Sequence, residues 1–192
     1  MILVDAFAPI RHFDAETLRL AHEIFHAPTF VRPMRWLAGP YAPVLFVPLA
    51  LIWIARGSWR ATRIMLATLA GLALTTTLTT YVLHPLIARP SPSLASLSFP
   101  SSATANAFFL ASFLSLYYLG SGSWTIVLAL AVGISCVVAG DAHPSDVIAG
   151  AALGVTLGIL GWNLTRNNIG RRQSVWASGN LDAAQSRRMS RR

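Results

Sequence analysis

The chain has 192 residues, of which 54% are hydrophobic and only 11% charged, and its mean hydropathy is +0.55. A soluble domain carries about 25% charged residues, so much of this surface is predicted to face something other than water. The net charge is +8, and all fifteen of the basic residues behind it are arginines. These arginines flank apolar segments and fill a tail, which is the pattern of membrane topology and argues against nucleic-acid binding. A single cysteine, Cys136, excludes an intrachain disulfide.

Residues 1–36 are predicted to form an N-terminal interfacial segment. Between residues 11 and 35 charged side chains and histidines alternate with apolar ones, and Phe13-Asp14-Ala15-Glu16 is typical of a helix start. We expect an amphipathic helix that lies at the membrane interface. Its histidines match no zinc spacing, so we predict no metal site and no cofactor. No basic region precedes a short apolar core at the N-terminus, so no cleaved signal peptide is expected.

Residues 37–164 contain five apolar stretches, each close to the roughly 20 residues that cross a hydrocarbon core. None has an internal Arg, Asp or Glu, and their bounds are Leu37–Ala55, Ile64–Leu83, Ala103–Leu119, Trp124–Gly140 and Val147–Leu164. The shorter ones would also fit the core of a large bundle, but five in succession favour membrane spans. The predicted fold class is therefore all-α, an integral membrane helical bundle.

The loops suggest an orientation. Arginines crowd the connection between the first two spans and the tail at residues 165–192, which is also predicted to be disordered. Placing both inside puts the N-terminus and segments 84–102 and 141–146 on the outer face. A bacterial inner membrane, with the site loops periplasmic and the tail cytoplasmic, fits this arrangement.

The two outer segments hold every titratable side chain between Arg63 and Arg166 apart from the weakly acidic tyrosines and Cys136. They are His84, Arg89, Asp141, His143 and Asp146. Charges are costly near a bilayer, so their concentration at one end of the bundle predicts a functional site there.

Three motifs in these loops resemble the type 2 phosphatidic-acid phosphatase family, which is related to the vanadium haloperoxidases. They begin at His84, at Ser98 and at Ser135, and the most specific parts are Phe99-Pro100-Ser101 and the run from Pro144 to Gly150. The similarity covers about residues 12–164. It implies a phosphohistidine mechanism, in which a lysine and arginines clamp the phosphate, one histidine protonates the leaving group and another attacks phosphorus.

The sequence departs from that pattern at most of the catalytic positions. His84 stands in the place of the first-motif lysine and Ser91 in that of a second arginine. The general acid falls on Ala103, the third-motif arginine on Cys136, and the nucleophile, in strict register, on Ala142. Asp146 matches, and His143 lies one position late.

A reduced site remains conceivable. A one-residue shift would make His143 the nucleophile, oriented by Asp146, since residues three apart share a helix face. A capping or interfacial histidine is the alternative. Phosphate could be bound by His84, by the bidentate fork of Arg89 and by Ser101 and Ser102 at a helix N-terminus.

Two functions follow, and the first is favoured. One is a catalytically degenerate protein that binds a lipid phosphate head group or serves a membrane-protein partner or a homo-oligomer. The other is an active lipid phosphatase of the phosphatidate or polyprenyl type. Ion or solute transport is disfavoured, because no charged residue lies at mid-span. The expected ligands are membrane lipids, with no nucleic acid.

Overall fold

A computed structural model describes residues 8–25, 28–38, 59–93, 97–117 and 122–189, with side chains given as far as Arg166. The helices are α1 (Ala8–Ile24), α2 (Pro28–Ala38), α3 (Trp59–Thr77), a π-helix (Leu78–Leu83), α4 (His84–Ile87), α5 (Ser102–Tyr117), α6 (Gly122–Val138) and α7 (Pro144–Met189). The described residues contain no strand beyond an isolated bridge between Pro90 and Leu97. The all-α prediction is confirmed for these ranges.

The N-terminal segment differs from the prediction in its boundaries. It forms two helices instead of one, and α1 begins at Ala8, so Asp14 and Glu16 lie beyond its first turn. The reason is that residues 8–12 are also compatible with a helix, including a proline near its first position, where the missing N–H costs nothing.

The predicted membrane spans are confirmed in part. Two stretches, Thr62–Ile87 and Pro144–Arg166, are long and apolar enough to cross a membrane, and Trp124–Val138 is a shorter apolar helix. Large apolar side chains such as Leu66, Leu74 and Ile159 are exposed on these helices. The hydrocarbon core of a membrane would remove these apolar side chains from contact with water. The predicted first span, Leu37–Ala55, lies almost entirely outside the described residues, and the count of five spans stays a prediction.

The tail prediction also stays open. The backbone of α7 runs on to Met189 through most of the segment 165–192 that the sequence predicts to be disordered. Its side chains beyond Arg166 are not described, so neither the cytoplasmic placement of this tail nor its state in solution is tested.

Helix α5 lies at the centre of the described bundle and contacts α3, α6 and α7. Phe109 and Phe113 are almost completely buried on it, and their rings stack with centroids 5.5 Å apart. Ile64 of α3 belongs to the same apolar cluster. This core fixes the directions of the helices whose ends carry the polar loops.

Glycines let α7 approach α5 at backbone distance. A Cβ on Gly150 would lie 2.6 Å from the carbonyl oxygen of Ser101, and one on Gly154 would lie 2.3 Å from that of Ala105. A Cβ on Gly158 would collide with the side-chain hydroxyl of Ser112 and would lie 3.0 Å from the carbonyl oxygen of Phe109. These glycines, spaced four residues apart, therefore allow the close packing of α7 against α5.

Replacing Gly154 by alanine should therefore lower the free energy of unfolding in detergent by about 1–3 kcal/mol, because the methyl group meets backbone that cannot move aside. Gly161→Ala is the matched control, since its added Cβ would meet the rings of Phe113 at 3.4 Å and Phe109 at 3.8 Å, which are ordinary contacts. That change should be neutral or slightly stabilising through helix propensity. Equal effects of the two substitutions in thermal unfolding would contradict this account of the interface.

Candidate functional site

The polar cluster at one end of the bundle is assembled from four separate parts of the chain. After the π-helix, α4 ends at Ile87, and the left-handed backbone of Ala88 (φ 50°, ψ 34°) turns the chain and positions Arg89. Ser98 comes from the loop before α5, and the first turn of α7 contributes Ser145 and Asp146. Asp14 reaches the cluster from α1.

Arg89 lies between two carboxylates. Its Nη1 donates to Oδ1 of Asp146 at 2.5 Å and to Oγ of Ser145 at 2.8 Å, and its Nη2 donates to Oδ2 of Asp14 at 2.6 Å. The guanidinium side chain is 25% exposed, whereas those of Asp14 and Asp146 are 3% and 0% exposed. Both terminal nitrogens of the fork are thus engaged by protein anions.

Asp146 is the most connected acceptor of the cluster. Its Oδ2 accepts the hydroxyl of Ser98 at 2.6 Å and the backbone N–H of His143 at 3.1 Å. The Nδ1 atom of the His143 ring lies 3.1 Å from the same oxygen. The backbone contact is that of a capping box, in which the third helical residue bonds back to the residue before the helix. His143 and Asp146 are therefore brought together as the sequence predicts.

Asp14 is the site residue that the sequence reasoning missed. Its Oδ1 accepts the backbone N–H of Ser145 at 2.9 Å, and its Oδ2 accepts the Ser145 hydroxyl at 2.7 Å. Burial alone would raise the pKa of Asp14, but hydrogen bonds from Arg89 and from Ser145 outweigh it and lower the pKa below its usual 3.8. The carboxyl is ionised at neutral pH.

Most of the residues predicted to bind phosphate are hydrogen-bonded to other groups of the protein. Nε2 of His84 lies 3.0 Å from the carbonyl oxygen of Pro100. Ser101 is buried, its hydroxyl bonds Thr104 at 2.9 Å, and its N–H donates to the backbone oxygen of Asp146. Its hydroxyl also accepts the backbone N–H of Thr104 at 3.4 Å and so caps α5. Ser102 is the first residue of that helix, and phosphate binding by any of these residues remains a prediction.

Three positions that the family resemblance assigns to catalytic residues lie in or against one apolar cluster. Cys136, at the position of the clamping arginine, and Ala142, at that of the nucleophile in strict register, are buried members of one apolar cluster. Ala103, at the position of the general acid, packs against the same cluster. Cys136 also accepts a weak hydrogen bond from the hydroxyl of Thr104 at 3.9 Å.

Beside the polar cluster lies a cavity of about 1290 Å³. Its polar end holds Arg89, Asp14 and His143, and much of its wall is apolar, with Leu18 from α1 and Phe99 from the loop before α5. Neither Ser101 nor Ser102 lines it. The part of the chain that the structure describes contains no group of three residues suited to hold a metal ion.

Comparison with known proteins identifies the class. Residues 65–170, more than half of the chain, match the model of the PAP2 superfamily, and the chain therefore belongs to that superfamily. The resemblance inferred from the three motifs is confirmed. Together with the apolar helices, this family indicates an integral membrane protein.

Two solved structures share the fold. One is the first transmembrane PAP2 type phosphatidylglycerolphosphate phosphatase from Bacillus subtilis, which is 24% identical with a TM-score of 0.64 over 86% of this chain and 92% of that one. The other is Aquifex aeolicus LpxE, which is 26% identical with a TM-score of 0.53 over 76% of this chain and 94% of that one. Among curated proteins, none matches this chain.

Removing the shared cation should be costly. Arg89→Gln leaves two buried carboxylates without their charge partner, and we expect a loss of about 3–5 kcal/mol in the free energy of unfolding. The control is Arg19→Gln, which breaks a surface pair with Glu23 in which the arginine side chain is 81% exposed. Such a pair contributes about 0–1 kcal/mol. Chemical or thermal unfolding in detergent would measure both, and comparable losses would contradict the buried-network description.

The lowered pKa of Asp14 gives a defined pH dependence. A depressed pKa in the folded state stabilises the protein above the pKa of the unfolded state, about 3.8, and this stabilisation is lost as the pH falls through the folded value. The stability difference between the wild type and Asp14→Asn should therefore be constant at neutral pH and shrink below about pH 4. Unfolding measured between neutral and strongly acidic pH would test it, and a difference that does not change with pH would refute it.

Proposed function

We propose that this chain is a membrane protein with the lipid phosphatase fold that does not hydrolyse phosphate and acts as a lipid-phosphate-binding or accessory protein. The contact that carries the proposal is the double engagement of Arg89 by Asp14 and Asp146. A phosphate dianion that approached this guanidinium would have to displace one carboxylate and remain close to another. Like charges held together in a poorly solvated site repel strongly.

The apolar cluster supports the same proposal. Ala103 has no proton to give to a leaving group, and the thiol of Cys136 cannot hold a phosphate oxygen as a guanidinium would. Both side chains lie in or against an apolar cluster. Loss of a general acid alone slows an enzyme about 10²–10⁴-fold, and loss of a nucleophile can cost on the order of 10⁶-fold. Compensation for such losses would need other side chains that hold the phosphate and protonate the leaving group.

An active phosphatase is the second candidate, and one observation favours it. Asp146 holds Nδ1 of His143 at 3.1 Å, an arrangement in which Nε2 could attack phosphorus. His143 also lines the cavity. Phosphatidate and polyprenyl phosphates are the substrates considered for such an enzyme, and the phosphatidylglycerolphosphate phosphatase of similar structure adds a third.

The setting proposed for either function is the outer face of a bacterial inner membrane, with the arginine-rich tail inside. The positive-inside distribution of arginine supports this orientation. A membrane-protein partner or a second copy of the chain is proposed only as part of the accessory role.

Phosphate release separates the two candidates. The purified protein, His143→Ala and His12→Ala would be assayed on phosphatidate, phosphatidylglycerolphosphate and a polyprenyl pyrophosphate. His12 is a matched control, because it is an exposed histidine on α1 whose recorded ion pair is with Glu16. We expect no release above the protein-free blank from any of the three proteins.

Release by the wild type and His12→Ala that is abolished in His143→Ala would overturn the proposal and establish the phosphatase. Release that survives both substitutions, and that copurifies with the protein, would also overturn it and would point to a different nucleophile.

A further inference from the structure

Helix α1 is attached to the bundle in an unusual way. Asp14 is only 2% exposed, whereas the large apolar side chains Ile10, Phe13, Leu20 and Ile24 are between 41% and 68% exposed. An amphipathic helix on a protein normally buries its apolar residues and exposes its charges. Here a carboxylate faces the protein, and the apolar side chains are left for another environment, which in a membrane protein is the lipid interface.

The contacts of Asp14 are those that an anionic ligand would make. Its two oxygens receive the N–H and hydroxyl of Ser145 and the Nη2 atom of Arg89. A phosphate monoester would be bound by the same kinds of donor, an arginine fork, a hydroxyl and a backbone N–H. Asp14 therefore occupies a set of donors suited to an anion.

Because α1 forms part of the cavity wall, the contact of Asp14 with Arg89 also keeps one side of the cavity closed. The helix contributes Ile10, Asp14 and Leu18 to the wall of the cavity, whose polar end is formed by Arg89 and His143. If Asp14 left Arg89, one carboxylate would be removed from the cluster and that side of the cavity would open. The remaining described charges at Arg89 would then be those of the guanidinium and Asp146.

We propose that α1 is an autoinhibitory lid, in which Asp14 stands in for a phosphate monoester and must be displaced before that head group can bind to Arg89 and Ser145. This inference rests on the proposed lipid-phosphate-binding function and adds how access is controlled. The exposed apolar face of α1 would keep the released helix at the bilayer surface. The ligand is either the head group of a lipid or free phosphate, since both offer the same oxygens.

Binding to four proteins in detergent tests the competition. The wild type, Asp14→Asn, Glu16→Gln and Arg89→Gln would be titrated with dioctanoyl phosphatidate, with inorganic phosphate and with dioctanoyl phosphatidylcholine. Glu16→Gln is the matched control, because it removes the same charge from an exposed position two residues away. If the closed lid is populated at about 90% or more, Asp14→Asn should bind phosphatidate at least about tenfold more tightly than the wild type.

The remaining arms should then behave as follows. Glu16→Gln should match the wild type, and Arg89→Gln should lose binding. Tighter binding of phosphatidate but not of inorganic phosphate would identify the lipid as the source of the head group, and tighter binding of both would assign the site to phosphate in general. Equal gains for Asp14→Asn and Glu16→Gln would overturn the proposal, as would failure of all four proteins to bind either phosphate ligand.

Hydrogen exchange on the wild type gives a readout that needs no variant. Amides of residues 8–24 should exchange faster when phosphatidate is bound, because the helix has lost its buried anchor. Binding with unchanged or slower exchange in α1 would refute the lid even if Asp14→Asn fails to fold. Phosphate release measured in the same samples keeps the two proposals apart, since hydrolysis would overturn the non-hydrolytic function without changing the exchange result.

Discussion

The arrangement of this protein at its polar end depends on charge balance around one guanidinium. Two carboxylates are buried there, and a buried charge without a partner costs several kcal/mol. Arg89 pairs with both, so it joins α1, the segment after α4 and the start of α7 through its two terminal nitrogens. The hydroxyls of Ser98 and Ser145 complete the hydrogen bonding of the carboxylates. A network of this kind specifies one arrangement of the chain only if every member is satisfied.

The same balance explains how a phosphatase fold could lose its chemistry without losing its shape. An active phosphate site needs cations that remain unpaired until the substrate arrives, which makes the empty site unstable by itself. In this chain the carboxylate of Asp14 compensates the charge of Arg89, and small residues stand at the positions that the family resemblance assigns to catalytic side chains. Under the proposed function, the ion pair takes the place of a bound phosphate in balancing the charge of the arginine. The fold also rests on the packing of α5 against α3, α6 and α7.

The fold was predictable where hydrophobic composition decides it, and the site was not predictable where distant segments meet. The apolar runs predict helices close to α5 and α6 and to the part of α7 before Arg166, and the short spacing of His143 and Asp146 predicts their contact. The sequence predicts Asp14 only as part of a helix start, because its partners lie 75 and 131 residues away. An acid in a segment where charged and apolar side chains alternate carries no local sign of burial. The departures from the family motifs at Cys136 and Ala103 can be seen in the sequence. That both side chains belong to or pack against one apolar cluster depends on packing between helices.

The π-helix Leu78–Leu83 has a consequence for how this family member can vary. A π-helical turn accommodates about one more residue than an α-helical turn, so everything after it is rotated by about 100° around the helix axis. His84 and Arg89 follow that rotation. An insertion or deletion of a residue in this helix would therefore alter the structure, whereas one in a surface loop is usually tolerated. One residue gained or lost between Thr77 and His84 would leave the span able to cross the membrane yet turn its polar end to a different neighbour.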